Sequence, residues 1–313
     1  MEFFSKKTSV DFMGGRRLAF VFSAVLMIGS LILLIPGVRG LNFGIDFTGG
    51  VLVELAYPEA ARLAEIRRSL SEGGFPDAQV QNFGTSTDVL VRVLPREGVE
   101  GKALANQMLD VLRQDNAAVE LRRTEFVGPQ VGEELTEQGA LAMLFAMIMI
   151  LVYIMVRFQW KFAVGAIVAT LHDPIITLGF FALTGLTFDL SVLAAMLAIV
   201  GYSVNDTIVV FDRIRENFRK VRRGTPKDIM NLSVNETLSR TLMTSFTTSL
   251  VVIAMLLFGG ETLRGFSSAL IIGIAIGTYS SIFVASALAL ELKASPVDLL
   301  PPAKDKGEVD AMP

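Results

Sequence analysis

Apolar residues in this chain gather into long runs instead of spreading evenly. Runs lie at Leu18 to Ile35 and near 139–156, 162–184, 190–211, 241–258 and 266–290, with polar stretches between them. Each is about 18 to 25 residues, the length a helix rising ~1.5 Å per residue needs to cross a hydrocarbon core of roughly 30 Å. The pattern predicts six transmembrane helices. Lys6, Lys7, Arg16 and Arg17 precede the first run, as basic residues precede the apolar part of a signal peptide. The run exceeds the roughly 7 to 15 residues of such a segment and lacks a small-x-small cleavage pattern, so an uncleaved first span is expected.

The polar stretch from Arg39 to Gln138 has a readable order of its own. Val51 to Tyr57 alternates as a strand, Pro58 and Glu59 open a helical stretch to Glu72, and Gly73-Gly74 stops it. Ala78 to Phe83 and Val89 to Leu94 read as two strands, with Gly84, Ser86 and Asp88 as the turn between them. Gly101 to Gln114 has the spacing of an amphipathic helix, and Val119 to Val127 closes the series as a strand. The order β-α-β-β-α-β predicts a ferredoxin-like α+β domain between the first and second spans. Residues 226–239 read as a helix lying along the membrane surface, with Thr225-Pro226 as its cap and first turn.

Composition agrees with a membrane protein, at 52% hydrophobic residues and a mean hydropathy of +0.54. The absence of cysteine excludes disulfides, thiolate metal sites and cysteine redox chemistry. The net charge of -3 matters less than its distribution. Basic residues cluster at the N-terminus, at Arg157 and Lys161, and most densely in the segment holding Arg213, Arg215, Arg219, Lys220, Arg222, Arg223 and Lys227. Short basic connections stay inside, so the expected organisation is a cytoplasmic N-terminus (1–17), a first span (18–37), a periplasmic domain (38–138) and five further spans (139–293). A basic cytoplasmic loop is expected at 212–239 and a disordered cytoplasmic tail at 294–313.

An ionisable group inside a span costs several kcal/mol unless it is paired or solvated. Three positions raise the question: Asn205-Asp206 in the fourth span, His172-Asp173-Pro174 in the third, and Arg240 at the start of the fifth. Desolvation works against a charge on Asp206, whereas Arg240, at similar depth by residue count, would support it. A pair that forms and breaks as a proton comes and goes would be a switch; a static buried pair holding two helices together is the plainer alternative. His172, the only histidine, beside Asp173 suits a proton relay or a helix-to-helix hydrogen bond. Asp212 is expected at the interface, and Gly265, Ser268, Gly273, Gly277 and Ser281 read as close helix packing.

No phosphate-binding Gly-x-x-x-x-Gly-Lys-Ser/Thr loop is present, nor any His, Cys and carboxylate set at metal-ligand spacing. An intramembrane protease built on Asp173 with Asp206, or on Ser203 with His172, lacks the flanking glycine patterns of such enzymes. The chain is expected to be neither an enzyme nor a nucleic-acid binder, and to hold no metal or organic cofactor.

Several segments resemble the SecF family of the bacterial SecDF protein-export complex. They are Phe43-Gly44-Ile45-Asp46-Phe47-Thr48-Gly49-Gly50, Phe126-Val127-Gly128-Pro129-Gln130-Val131-Gly132, His172-Asp173-Pro174, and Gly201-Tyr202-Ser203-Val204-Asn205-Asp206-Thr207 running into Phe211 to Asn217. The resemblance implies half of a resistance-nodulation-division bundle, completed by SecD, that uses protons, or sodium in some marine species, to help preproteins through the SecYEG channel. It implies SecD, SecYEG, YajC, the translocating preprotein and membrane lipids as partners. It also implies that Asp206 and Arg240, with His172, Asp173 and Asn205, serve ion coupling. Asp46, Gly49, Gly50, Gly128, Pro129 and Gly201 are then expected to be structural. Half of a small-molecule or lipid transporter of the same superfamily, and a purely structural scaffold, are the competing expectations.

Overall fold

The computed structural model describes residues 8–96, 99–221 and 223–296; Lys6, Lys7, Arg222 and residues 297–313 of the expected disordered tail lie outside the described residues. The chain begins with α1 (Arg16–Leu34), the first span. A short strand β1 (Asn42–Phe43) and one turn of helix α2 (Ile45–Thr48) lead into the α+β domain. This domain runs β2 (Gly50–Ala56), α3 (Leu63–Glu72), β3 (Gln79–Phe83), β4 (Thr85–Val93), α4 (Gly101–Asp115) and β5 (Glu120–Val127). Its antiparallel sheet has the order β3-β4-β2-β5, the ferredoxin-like arrangement.

One face of the sheet and the two helices share a single apolar core. Val51, Val53, Leu55, Val80, Val89, Val91 and Val93 pack with Ile66 and Leu70 of α3 and with Leu104, Met108 and Leu112 of α4. The helix expected from Pro58 starts only at Leu63, because the backbone before it is used elsewhere: Tyr57 N–H donates to Thr87 O and Ala61 N–H to Ser86 O. The expected turn of Gly84, Ser86 and Asp88 is also shorter than read. Gly84, at φ +76°, makes it almost alone, and β4 already begins at Thr85. Asp88 faces inward instead, accepting from Thr85 Oγ1 and pairing with Arg122 at 3.1 Å.

Five further spans follow. They are α5 (Pro129–Arg157), α6 (Trp160–Thr184), α7 (Leu190–Lys220), α8 (Pro226–Phe258) and a composite last span, and a two-residue strand β6 (Thr187–Phe188) precedes α7. The last span is α9 (Arg264–Ser280), a π turn (Ser281–Ala285) and α10 (Ser286–Glu291). The most apolar windows of α6, α7 and the last span are 61%, 56% and 50% buried, against 17%, 11% and 11% for α1, α5 and α8. The first three therefore form the core of the bundle and the others its rim.

The helices outrun their apolar stretches, which corrects two expectations. α7 continues through the basic segment to Lys220, so most of the expected 212–239 loop is helical. Residues 226–239 are the first turns of α8 itself and not a separate surface helix. Thr225 and Asp228 form a capping box at its start, with Pro226 in the first turn, and Ile229, Met230, Ser233 and Val234 are buried against the bundle. A helix meets no hydrocarbon boundary condition once its charged residues reach water, so apolar runs mark the membrane crossing and not the helix ends.

The segment before α1 is held on α8. Asn235 Oδ1 accepts from Val10 N–H at 2.9 Å and its Nδ2 donates to Val10 O, while Asn231 Oδ1 accepts from Met13 N–H at 2.8 Å. Asp11 receives Asn231 Nδ2 at 2.6 Å and Lys227 Nζ at 3.0 Å. These bonds, with that from Gly14 N–H, hold the Asp11 carboxyl below the usual carboxylate range, Asn231 contributing most. A lowered folded pKa gives support that is present above the unfolded value of about 3.9 and is lost as pH falls through the folded one. Protection of the Val10 and Met13 amides, taken relative to the intrinsic exchange rate at each pH, is therefore expected to stay constant from neutrality to about pH 4 and to fall only below it. In the α+β domain, Leu70→Ala should cost about 2–5 kcal/mol, read as faster proteolysis of that domain in the full chain while the spans stay protected.

Candidate intramembrane coupling site

The chain carries Asp173 into the middle of α6, where it is wholly buried beside His172, also buried. A carboxylate there is tolerable only with donors around it. Two come from other helices: Ser203 Oγ of α7 and Ser280 Oγ, the last residue of α9, both donate to Asp173 Oδ2, the latter at 2.8 Å. His172 Nδ1 lies 2.8 Å from the other oxygen, Oδ1. The cluster thus joins the three core spans at one carboxyl group. Gly277 permits the approach of α9, since a Cβ there would stand 3.1 Å from Ser203 Cβ and 3.5 Å from Asp173 Oδ2. His172 Nε2 is buried without a hydrogen-bond partner among the described residues. Its ring lies 6.3 Å from that of Tyr279, whose hydroxyl donates to Ala19 O of α1 at 2.8 Å.

Asp206 follows Ser203 by one turn of α7 and is also buried. Because α7 runs on to Lys220, Asp206 sits near the middle of its helix. One of its oxygens, Oδ2, has no hydrogen-bond partner among the described residues. Arg240 of α8 does not close on it as the expected ion pair. Among the described residues no nitrogen of Arg240 stands within 4.0 Å of a carboxylate, and its side chain is exposed, although its charge acts on Asp206 through space. An arginine stem can keep its guanidinium toward water while its charge is still felt inside. Asn205 and Gly201 are exposed on the outward side of α7, away from the buried cluster. Asp212 is interfacial in character, half-exposed and bridged by Arg157 Nη2 at 2.8 Å to both oxygens.

The glycine motif makes the joint between spans and domain. Gly49 (φ +66°) and Gly50 (φ +129°) occupy backbone conformations that disfavour side chains, and a Cβ on Gly50 would lie 2.6 Å from Val93 O. Gly49 lies against Pro129, the first residue of α5, which Gly128 precedes as cap. Asp46 Oδ2 accepts the first amide of α7, Leu190 N–H, at 2.9 Å. Sequence reasoning treated Asp46 only as part of a motif and missed Ser280 entirely. Ser280 sits among other small residues of the last span, and nothing in its spacing separates it from packing serines.

Two family descriptions match this chain: "Protein export membrane protein SecD/SecF, C-terminal" over residues 107–295 and "SecD/SecF GG Motif" over residues 35–57. The chain is 51% identical over 308 residues to protein translocase subunit SecF of Vibrio alginolyticus, covering 97% of both chains. The chain belongs to the SecF family. SecF of Escherichia coli O157:H7 is 48% identical, over 90% of this chain and 87% of that one. The crystal structure of SecDF, a translocon-associated membrane protein from Thermus thermophilus, matches 91% of this SecF-family chain with a TM-score of 0.81 at 38% identity. SecDF in a super-membrane-facing form matches 93% with a TM-score of 0.69 at the same 38% identity, so the present arrangement lies nearer the first. The chain spans 39% of the length of each of these SecDF chains.

The Asp173 cluster gives a clean contrast for mutation. Ser280→Ala removes a donor from a buried carboxyl and should lower the stability of the full chain by about 1–3 kcal/mol. Ser281→Ala, equally buried, loses only a neutral bond to its own helix at Thr278 O, and should cost less, about 1 kcal/mol or below. Thermal unfolding in detergent, followed by circular dichroism, separates the two.

Proposed function

We propose that this chain is the SecF half of a SecDF unit that uses the proton motive force to assist SecYEG-dependent passage of preproteins across a bacterial inner membrane. SecD supplies the other half of the bundle, YajC and surrounding lipids are further partners, both termini lie in the cytoplasm, and the α+β domain faces the periplasm. The observation that carries this reading is the buried Asp206 carboxyl, with one oxygen unmatched by any donor and the charge of Arg240 acting on it from the neighbouring helix. The resemblance of nearly the whole chain to translocase subunits named SecF supports the export role.

The chemistry follows from the two carboxyls. Asp173 has its donors built in and stays occupied by them. Asp206 has an unmatched oxygen. A proton arriving there removes the negative charge, ends the attraction of Arg240 and frees α7 to shift against α8. A charge crossing 100 mV releases about 2.3 kcal/mol, so a large displacement draws on several protons. No metal or other cofactor is required, and the chain itself catalyses no covalent reaction.

Asp206→Asn keeps the shape and abolishes the charge. In inner-membrane vesicles containing SecD and SecYEG, the variant is expected to assemble normally while the gradient-dependent part of preprotein export disappears. Gradient-stimulated export at the parent rate would refute the proposal.

A further inference from the structure

The helix that carries Asp206 is gripped at its other end by the base of the α+β domain. The short strand before its cap Asp189, Thr187 and Phe188, pairs in parallel with Asn42 and Phe43, and Gly44 N–H donates to Phe188 O at 2.8 Å. Phe43 and Phe47 pack on Phe188, with ring centroids 6.0 and 5.7 Å away. On the other side of this junction, Arg92 from the middle of the sheet donates to Phe43 O and, at 2.6 Å, to Thr48 Oγ1. Thr136 of α5 donates to Phe47 O at 3.2 Å, and a Cβ on Gly132 would stand 2.8 Å from Gly49 N. Residues 43–50 therefore move as one block with the sheet and the start of α5.

Only one side-chain bond runs from that block directly to the α7 backbone, among the described residues: Asp46 Oδ2 to Leu190 N–H. Asp189, the helix's own cap, takes Val192 N–H at 2.9 Å, so two carboxylates meet the first turn of α7. The amide end of a helix bears about half a positive charge, which makes the Asp46 bond charge-assisted and directional. The aromatic contacts around it are apolar and tolerate sliding. The β1–β6 ladder has only two residue pairs.

We propose that Asp46 is a positioning residue that fixes the axial position of α7 to the α+β domain, so that a shift of α7 at Asp206 becomes a movement of that domain. The part concerning what drives α7 rests on the proposed function; the attachment does not. The consequence is a rigid path: Asp206 at mid-membrane, about sixteen residues or ~24 Å of unbroken helix, then Asp46, then the glycine block and the sheet.

The lack of native cysteine allows a clean distance measurement in the full chain. Asp110→Cys on α4 and Thr262→Cys beside the start of α9, both exposed, take a spin-label pair across the junction. The full chain, reconstituted with SecD in lipid nanodiscs, is compared as the parent, Asp46→Ala, Asp46→Asn and Asp206→Asn, and as Asp46→Ala with Asp206→Asn. Asp46→Ala should broaden the distance distribution and speed amide exchange at Leu190 about tenfold, whereas Asp46→Asn, whose amide oxygen still accepts, should restore most of both. In the parent, Asp206→Asn should move the mean distance, and in the Asp46→Ala background it should not. A narrow parent-like distribution and unchanged Leu190 exchange in Asp46→Ala would overturn the attachment. An effect of Asp46→Ala with no shift from Asp206→Asn would leave the attachment standing and remove the ion-driven reading instead.

Discussion

A carboxylate in the centre of a helix bundle must be met by donors, and those donors have to come from the helices that surround it. At Asp173 they come from α7 and α9, through Ser203 and Ser280, with His172 on the second oxygen. The three most buried spans are thereby tied at one point, and every close approach nearby follows from it. Gly277 is small because Ser203 and the carboxyl are beside it. The π turn at Ser281–Ala285 begins at the residue after Ser280, with Ser286 Oγ bonding back five residues to Ser281 O at 3.0 Å. Such widened turns are rare in helices and often accompany functional side chains.

Asp173 and Asp206 stand a helix turn apart in depth yet meet opposite surroundings. The first is saturated by neighbours of its own chain. The second keeps an oxygen unmatched and answers to a charge that sits on the rim. A low-dielectric interior magnifies both the benefit of the complete set and the cost of the incomplete one. One carboxyl therefore serves as a fixed point of the bundle, while the other keeps an oxygen that no donor in the described residues meets.

Six spans and the strand order of the α+β domain were legible in the sequence because both rest on hydrophobic periodicity, which burial enforces strongly. The lengths of α5, α7 and α8 were not, since a helix such as the Asp212 to Lys220 extension is stabilised by its own backbone and by ion pairs like Arg213 with Glu236 at 2.7 Å. Periodicity of apolar residues is silent there. Asp206, His172 and Asp173 stood out as ionisable residues in apolar runs, but their partners did not. Ser280 looks like any small packing residue, and the expected closure of Arg240 onto Asp206 overlooked how far an arginine stem can carry its charge outward. The start of α3 was misplaced for a related reason: Ala61 and Tyr57 bond to the strand of Ser86 and Thr87, a long-range choice invisible to local spacing.

The chain enters the α+β domain at Gly50 and leaves it at Val127, and these two residues are paired neighbours on β2 and β5. Gly49 and Pro129, just outside them, are in contact. The bundle consequently sees the whole domain as a cassette plugged in through one narrow socket. Apart from Arg92 and Val93, which reach back to the socket, what lies between those two points can be enlarged, trimmed or exchanged over evolutionary time with little effect on the spacing of α1 and α5, while the socket itself is closely packed.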